Sequence, residues 1–228
     1  RQSPRCDRCR MHVPLCLCAT WPTIETASRI TLVMQVREWA QPSNTGRVAW
    51  RTMPRCALTI YGRWPGRSPI EGPEGVVPDF DEEAHLRDPE VQTLLLHPAP
   101  DAPALSDVPR DGRPVHLLVP DGTWRQTSRI ARRIGADPTV QRVSLPEPKS
   151  RSGGVLRQPP TDTHLGTGEA IASALQALGE HDAATELRRA VRVMVDRALF
   201  VRGKIAHTQV LGGISLDIRR ELSGFVAD

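Results

Sequence analysis

Three times the chain runs through a short apolar segment, meets a proline and continues in polar residues: LLLHPAP over 94–100, LLVPDGTW over 117–124 and VSLPEPKS over 143–150. A buried strand needs only four to eight such residues, and a proline stops it because it has no N–H for the next rung of the sheet. RITLVMQV (29–36) and CALTIYG (56–62) are two more segments of the same make. With strands over 91–100, from Arg113 and over 139–149, that predicts five. Between them lie helical stretches. Asn44, Thr45 and Gly46 read as a turn opening a helix through Val48, Ala49 and Trp50. A basic helix follows DGTW, and another with Ala and Leu at helical spacing starts near Thr167. The span 184–202 carries Leu187, Val191, Met194, Val195 and Ala198 on one face. Strands alternating with helices predict an α/β fold, a mostly parallel sheet with helices on both faces. The three proline-tipped ends then gather at one sheet edge, where open α/β sheets bind ligands. His97, Pro98, Asp121, Thr123, Trp124 and the loop after Leu145 should line that pocket. The span 64–80, rich in Pro and Gly, reads as a long loop without periodicity.

The chain of 228 residues is long enough for one large domain and an appendage, divided here as 1–22 and 23–228. The appendage is marked by CDRCRMHVPLCLC. Cys6, Cys9, Cys16 and Cys18 are two close pairs across a short loop, the pattern of a structural zinc site with four thiolates. Two disulfides are the other reading, and the absence of a secretion signal speaks against them. His12 lies in the loop and is a substitute for one sulfur, while Cys56 reads as a core residue. No run of 18 apolar residues occurs, so a membrane span is not expected and the cytoplasm is the default compartment.

Asp121, at the end of a strand, has two readings: a cap for the next helix or a functional carboxylate. Thr123 is an equal candidate for the cap. Trp124 is either the first core residue of that helix or a flat pocket wall. Arg125, Arg129, Arg132 and Arg133 lie along the same helix as a solvated face or a phosphate-gripping ridge. The net charge is +4, and only Lys149 and Lys204 of the 30 basic residues are lysines. Arginine suits phosphate and stacked bases, although a GC-rich genome produces the same bias.

These residues carry a resemblance. DGTW resembles the Asp-x-Thr-Trp signature of the DTW-domain family, and the cysteine knuckle, SNTG, LLLHPAP and VLRQPP…GTGEA follow the family's order from Cys6 to about Leu175. Where the family has His-Pro-x-Glu ahead of Asn-Thr-Gly, this chain has Arg37-Glu38-Trp39 in VREWAQPSNTG. The resemblance implies a SPOUT-like fold with a C-terminal knot. It implies an enzyme that moves the 3-amino-3-carboxypropyl group of S-adenosylmethionine to N3 of a uridine in tRNA and releases methylthioadenosine. The donor would sit on the knot loops, against His97, Pro98, Pro120, Gly122, Thr123, Trp124, Leu145, Leu156, Arg157, Thr163, Thr167 and Glu169. By residue type, Arg157 suits the donor's carboxylate and Trp124 its adenine or sulfonium. Asp121 suits either the base that takes the N3 proton, beside an aromatic wall, or a ligand of the donor's ammonium. Arg37, Asn44, Thr45, Arg47, Arg125, Arg129, Arg132 and Arg133 would meet the RNA. Two other functions stand beside this one: SPOUT-type methyl transfer to RNA, and RNA binding by a zinc-containing module without catalysis. Oligomeric state stays open between the dimer common among SPOUT proteins and a monomer whose helix over 184–202 covers the knot.

Overall fold

The computed structural model describes residues 4–63, 66–146, 156 and 165–223. In chain order the elements are β1 (Arg29–Gln35), α1 (Gly46–Thr52), β2 (Cys56–Tyr61), β3 (Ile70–Gly72), β4 (Gly75–Val77), α2 (Glu82–Leu86), β5 (Gln92–Leu96), β6 (Val115–Asp121), α3 (Trp124–Ile134), β7 (Gln141–Val143), α4 (Thr167–Ala177), α5 (His181–Val201) and α6 (Leu216–Ser223). The sheet has the order β2-β1-β6-β5-β7 and every pairing in it is parallel. The expected α/β class is therefore what the chain adopts. Parallel strands put all their carboxyl ends at one edge, so the three proline-tipped ends do meet there.

Both faces of the sheet are covered, which is why its strands read as continuous apolar runs rather than alternating ones. Ile30, Leu32, Met34, Leu117 and Val119 point to the face that packs against Val48, Ile171, Leu187 and Val191 of α1, α4 and α5. Val33, Leu95 and Leu118 point the other way, against Ile130, Ala131 and Ile134 of α3. After β1 the chain crosses to β2 through α1 on the first face; after β6 it crosses to β7 through α3 on the second. Adjacent strands that send their connections to opposite faces leave a crevice at their carboxyl ends. Here it opens between β1 and β6.

Several segments differ from expectation. The span 64–80 contains the antiparallel hairpin β3–β4; Glu71, Gly75 and Val76 are exposed, so it shows no apolar alternation to read. Five residues are too few for α2 to show a helical period, although Asp81 caps it by accepting from the Ala84 amide. β7 stops at Val143, not 149. In α5 the apolar face closes with Leu199, and Ala198 is only half-buried. The expected knot falls largely on 147–155 and 157–164, outside the described residues. No helix among the described residues is long and apolar enough to cross a membrane.

The amino-terminal knuckle does not stand apart. Cys9, Met11, Leu15 and Leu17 are buried in the same cluster as Ile30 and Leu117, and Arg197 of α5 donates to the Leu15 carbonyl at 3.1 Å.

Within the second face, His116 of β6 meets Thr31 Oγ1 of β1 at 2.8 Å. Burial, followed by the charges of Arg29 and His85, pushes its imidazole down to about 4 against a partial pull from Asp88. The unfolded imidazole takes up its proton near its ordinary value, whereas the folded one refuses it. Stability from this group is therefore complete above about pH 6.5 and lost as pH falls toward 4, by an amount on the order of 3 kcal/mol. Thermal midpoints measured across that window should fall in the wild type and fall less in His116→Gln; parallel profiles would refute the assignment.

Candidate functional site

Asp121 closes β6 opposite Met34 of β1, at the crevice. The two-residue period of the strand turns its side chain to the face of α1 and α4, where it is only 2% exposed. One carboxylate oxygen accepts from Asn44 Nδ2 at 2.5 Å and the other from Thr167 Oγ1 at 2.6 Å. Asn44 precedes α1 and caps it, its Oδ1 accepting from the Arg47 amide at 3.0 Å. Thr167 opens α4. The two helix starts are also clasped to each other, since Thr45 Oγ1 accepts from the Gly168 amide at 3.1 Å. A Cβ at Gly168 would lie 2.8 Å from the Thr45 carbonyl and 2.7 Å from Val191, so this approach requires glycine. The carboxylate is thus held by two helix starts, 46 and 77 residues away in sequence.

A second buried carboxylate adjoins it. Glu38 ends the short 3-10 turn Val36–Glu38 after β1, is buried, and places Oε2 3.5 Å from the same Asn44 amide. Sequence reasoning set this segment aside as a departure. Glu38 stands six residues before Asn44, and its burial beside that residue is visible only in the fold.

The aromatic wall is not where the sequence put it. Trp124 opens α3, which covers the opposite face of the sheet from Asp121, and its ring stacks on His97 with centroids 5.2 Å apart and planes 22° apart. What buries Asp121 is the pair of helix starts. Trp124 remains 43% exposed. His97 donates from Nδ1 to the Pro98 carbonyl at 2.9 Å, and Nε2 lies 3.5 Å from Ser128 Oγ. Burial, with help from the charge of Arg142, holds its imidazole below the ordinary value. The cap of α3 falls to Thr123, whose amide and hydroxyl both donate to Gln126 Oε1. Pro120 is buried inside β6, and Gly122 lies against Gln126 and Gln35. Leu145 and Leu156 pack on the main core cluster. Glu169 is half-buried on α4; burial holds its carboxyl above the ordinary value against the pull of Arg188 and Arg192. Arg157 and Thr163 lie outside the described residues. Two groups thus flank one edge: Asp121, Thr167, Asn44 and Glu38 on one face, His97 and Trp124 on the other.

The predicted RNA contacts separate in the same way. Arg37, Arg125, Arg129 and Arg132 are exposed, Arg37 and Arg125 next to this edge and Arg129 and Arg132 further along α3 as it runs away from it, and Arg133 is paired to Glu82 at 2.9 Å. Asn44 and Arg47 are corrections: both are buried, Arg47 to 1% exposure, and Thr45 is half-buried with its hydroxyl on the Gly168 amide. The Arg47 guanidinium lies 4.6 Å over the Trp39 ring and donates to the Trp39 carbonyl at 2.5 Å. Burial, reinforced by Arg10, pulls it down to about 10 against the attraction of Asp121. These residues hold up the site from inside and do not present a surface to a macromolecule.

The four amino-terminal sulfurs lie within 4.8 Å of one another, with Cys6–Cys18 at 3.8 Å and Cys9–Cys16 at 3.7 Å. Four sulfurs about 2.3 Å from a central ion would be ~3.8 Å apart, so the cage has the size of a tetrahedral thiolate site. All are free thiols rather than disulfides. Burial pushes the Cys6 thiol up, but the backbone amides of Cys9 and Arg8 together with hydrogen bonds from the Cys16 and Cys9 side chains bring it down to about 7. Arg10, at φ 61°, is the one non-glycine residue with positive φ among those described, in the turn that brings the Met11 amide to the Cys9 sulfur. Soft sulfurs with amide donors fit a zinc-like ion. His12 stands outside the group. Cys56 is buried in the core, where burial pushes its thiol up to about 12.

Compared with known families, residues 3–199 match the model of the DTW domain. Among curated proteins, tRNA-uridine aminocarboxypropyltransferase 2 of Drosophila melanogaster is 28% identical over 178 residues, which is 76% of this chain; the match spans 66% of that protein's length. No solved structure matches.

Proposed function

The chain belongs to the DTW-domain family, and on that premise we propose that it transfers the 3-amino-3-carboxypropyl group of S-adenosylmethionine to N3 of a uridine in tRNA, with release of methylthioadenosine. The observation that carries this reading is the buried Asp121 carboxylate at the crevice of β1 and β6, gripped by Asn44 and Thr167. The relative's printed activity supports the substrate class.

The residues suit a cationic donor. Asp121 and Glu38 set two carboxylates on either side of one Asn44 amide, and the stacked His97–Trp124 pair offers an aromatic face. Bound S-adenosylmethionine supplies a sulfonium, which makes the adjoining carbon electrophilic and departs as a neutral thioether. Asp121 takes the proton from uridine N3, so that the nitrogen's electron pair is available to form the new bond. Asn44 and Thr167 hold the carboxylate still, which limits its reaction geometry to one direction. His97, Pro98, Pro120, Gly122, Thr123, Trp124, Leu145, Leu156, Arg157, Thr163, Thr167 and Glu169 form the surroundings of the donor in this reading. Arg37, Arg125, Arg129 and Arg132 meet RNA phosphates, and the four cysteines hold a structural zinc ion.

The test uses donor labelled separately in its methyl group and in its aminocarboxypropyl chain. The second label alone is expected in tRNA, in equal amount to methylthioadenosine. Methyl label in RNA would instead mean methyl transfer, and RNA binding without either label would mean a module without catalysis.

A further inference from the structure

The course of α5 brings a second basic surface to the functional edge. The Glu180 carboxylate, just before α5, accepts from the amides of Ala27 and Ser28 at 2.8 and 3.0 Å, which pins this end of the helix to the amino edge of β1. From there α5 runs for 21 residues, about 31 Å at 1.5 Å per residue. β1 has seven residues, about 23 Å. The helix therefore reaches past the carboxyl edge, and it ends in Arg202 and Lys204 around Gly203 at φ 65°. There Arg202 donates to the Leu156 carbonyl at 2.6 Å.

The cysteine knuckle sits against the same end. Arg197, about one turn before the helix ends at Val201, holds the Leu15 carbonyl, and α6 packs on the turn Val13–Leu15. Arg5 is fixed by a bond from Nη1 to the Arg10 carbonyl at 3.0 Å, and Arg8, three residues on, is exposed. Arg5, Arg8, Arg202 and Lys204 have no ion pair among the described residues. The carboxylate in this turn, Asp7, pairs with Arg10 at 3.6 Å, and an anion relieves the repulsion among the cations that remain.

We propose that Arg5, Arg8, Arg202 and Lys204 form a phosphate-binding face for the tRNA backbone, so that the RNA straddles the sheet edge between this face and the arginines of α3. The two surfaces lie on opposite sides of the sheet with Asp121 between them, and a uridine splayed from a bridging RNA enters at the crevice. This inference rests on the proposed function.

The experiment compares tRNA affinity at several salt concentrations for the metal-loaded full chain, an Arg202→Glu/Lys204→Glu variant and Arg5→Glu. Arg55→Glu, at the opposite edge beside the start of β2, is the control for net charge. The expected result is a weakening on the order of tenfold at 0.1 M salt for the double variant, with a salt slope shallower by about 0.9 for each lost phosphate contact. Arg5→Glu should weaken binding in the same direction. Melting temperature and affinity for S-adenosylmethionine should stay unchanged, as should tRNA affinity in Arg55→Glu. If the wild type binds tRNA and the variants match it in affinity and slope, the proposal fails alone. Equal weakening by Arg55→Glu, or loss of donor binding in the double variant, also overturns it, assigning the effect to net charge or to the lost bond to the Leu156 carbonyl. If the wild type does not bind tRNA, the proposed function itself falls.

Discussion

Asp121→Asn is expected to slow group transfer to tRNA about a hundred- to ten-thousand-fold, the usual contribution of a positioned base, while donor affinity stays within a few-fold of wild type. Asparagine has the same shape, and its oxygen and amide can still meet Asn44 and Thr167, which now bond Asp121 at 2.5 and 2.6 Å. What it lacks is a site for the uridine proton. Single-turnover transfer measured beside calorimetric donor binding separates the two roles open to this residue. Loss of transfer with donor binding intact assigns it the proton. Loss of donor binding assigns it the ammonium instead, and transfer near the wild-type rate removes it from the chemistry.

The second large effect concerns the knuckle. Cys9 is buried in the main core with Met11, Leu15 and Leu17, so removing a metal held by the proposed thiolate site would also expose part of the wall against which α5 packs. Structural zinc contributes about 10–16 kcal/mol in isolated fingers. Here the remaining core retains some of the fold, and a loss of about 4 kcal/mol is expected, which is ~8–16 °C in a domain of this length. Purified protein should carry one zinc per chain. Chelation or Cys9→Ser should lower the midpoint by that amount, and added zinc should restore the chelated protein alone. A melting curve unmoved by chelation of a zinc-loaded sample would reject a structural role.

How much of this was legible follows from the range of the interactions. β6 was readable because a strand covered on both faces must be apolar along its length, and all seven of its residues are buried. The cysteine cage was readable because all four ligands fall within 13 consecutive residues, where spacing alone limits the geometry. The hairpin β3–β4 was not, since only Val77 of its six strand residues is buried and they carry no periodic signal. Arg47 was misread for a related reason. An arginine after Asn-Thr-Gly has the chemistry of a phosphate ligand, and only packing shows that Trp39 and the sheet enclose it.

The amino-acid order by itself determined the parallel α/β class, the shared edge for the three proline-tipped strands, the cysteine cluster and the place of Asp121 at a strand's carboxyl end. These depend on local hydrophobic period, on proline's missing donor and on short ligand spacing. Only the tertiary structure decided what surrounds Asp121: it joined Asn44, Glu38 and Thr167 there, turned Trp124 to His97 on the other face and carried the end of α5 to the knuckle. Those contacts join residues far apart in the chain, and which of them form depends on strand order and on the face each connection crosses.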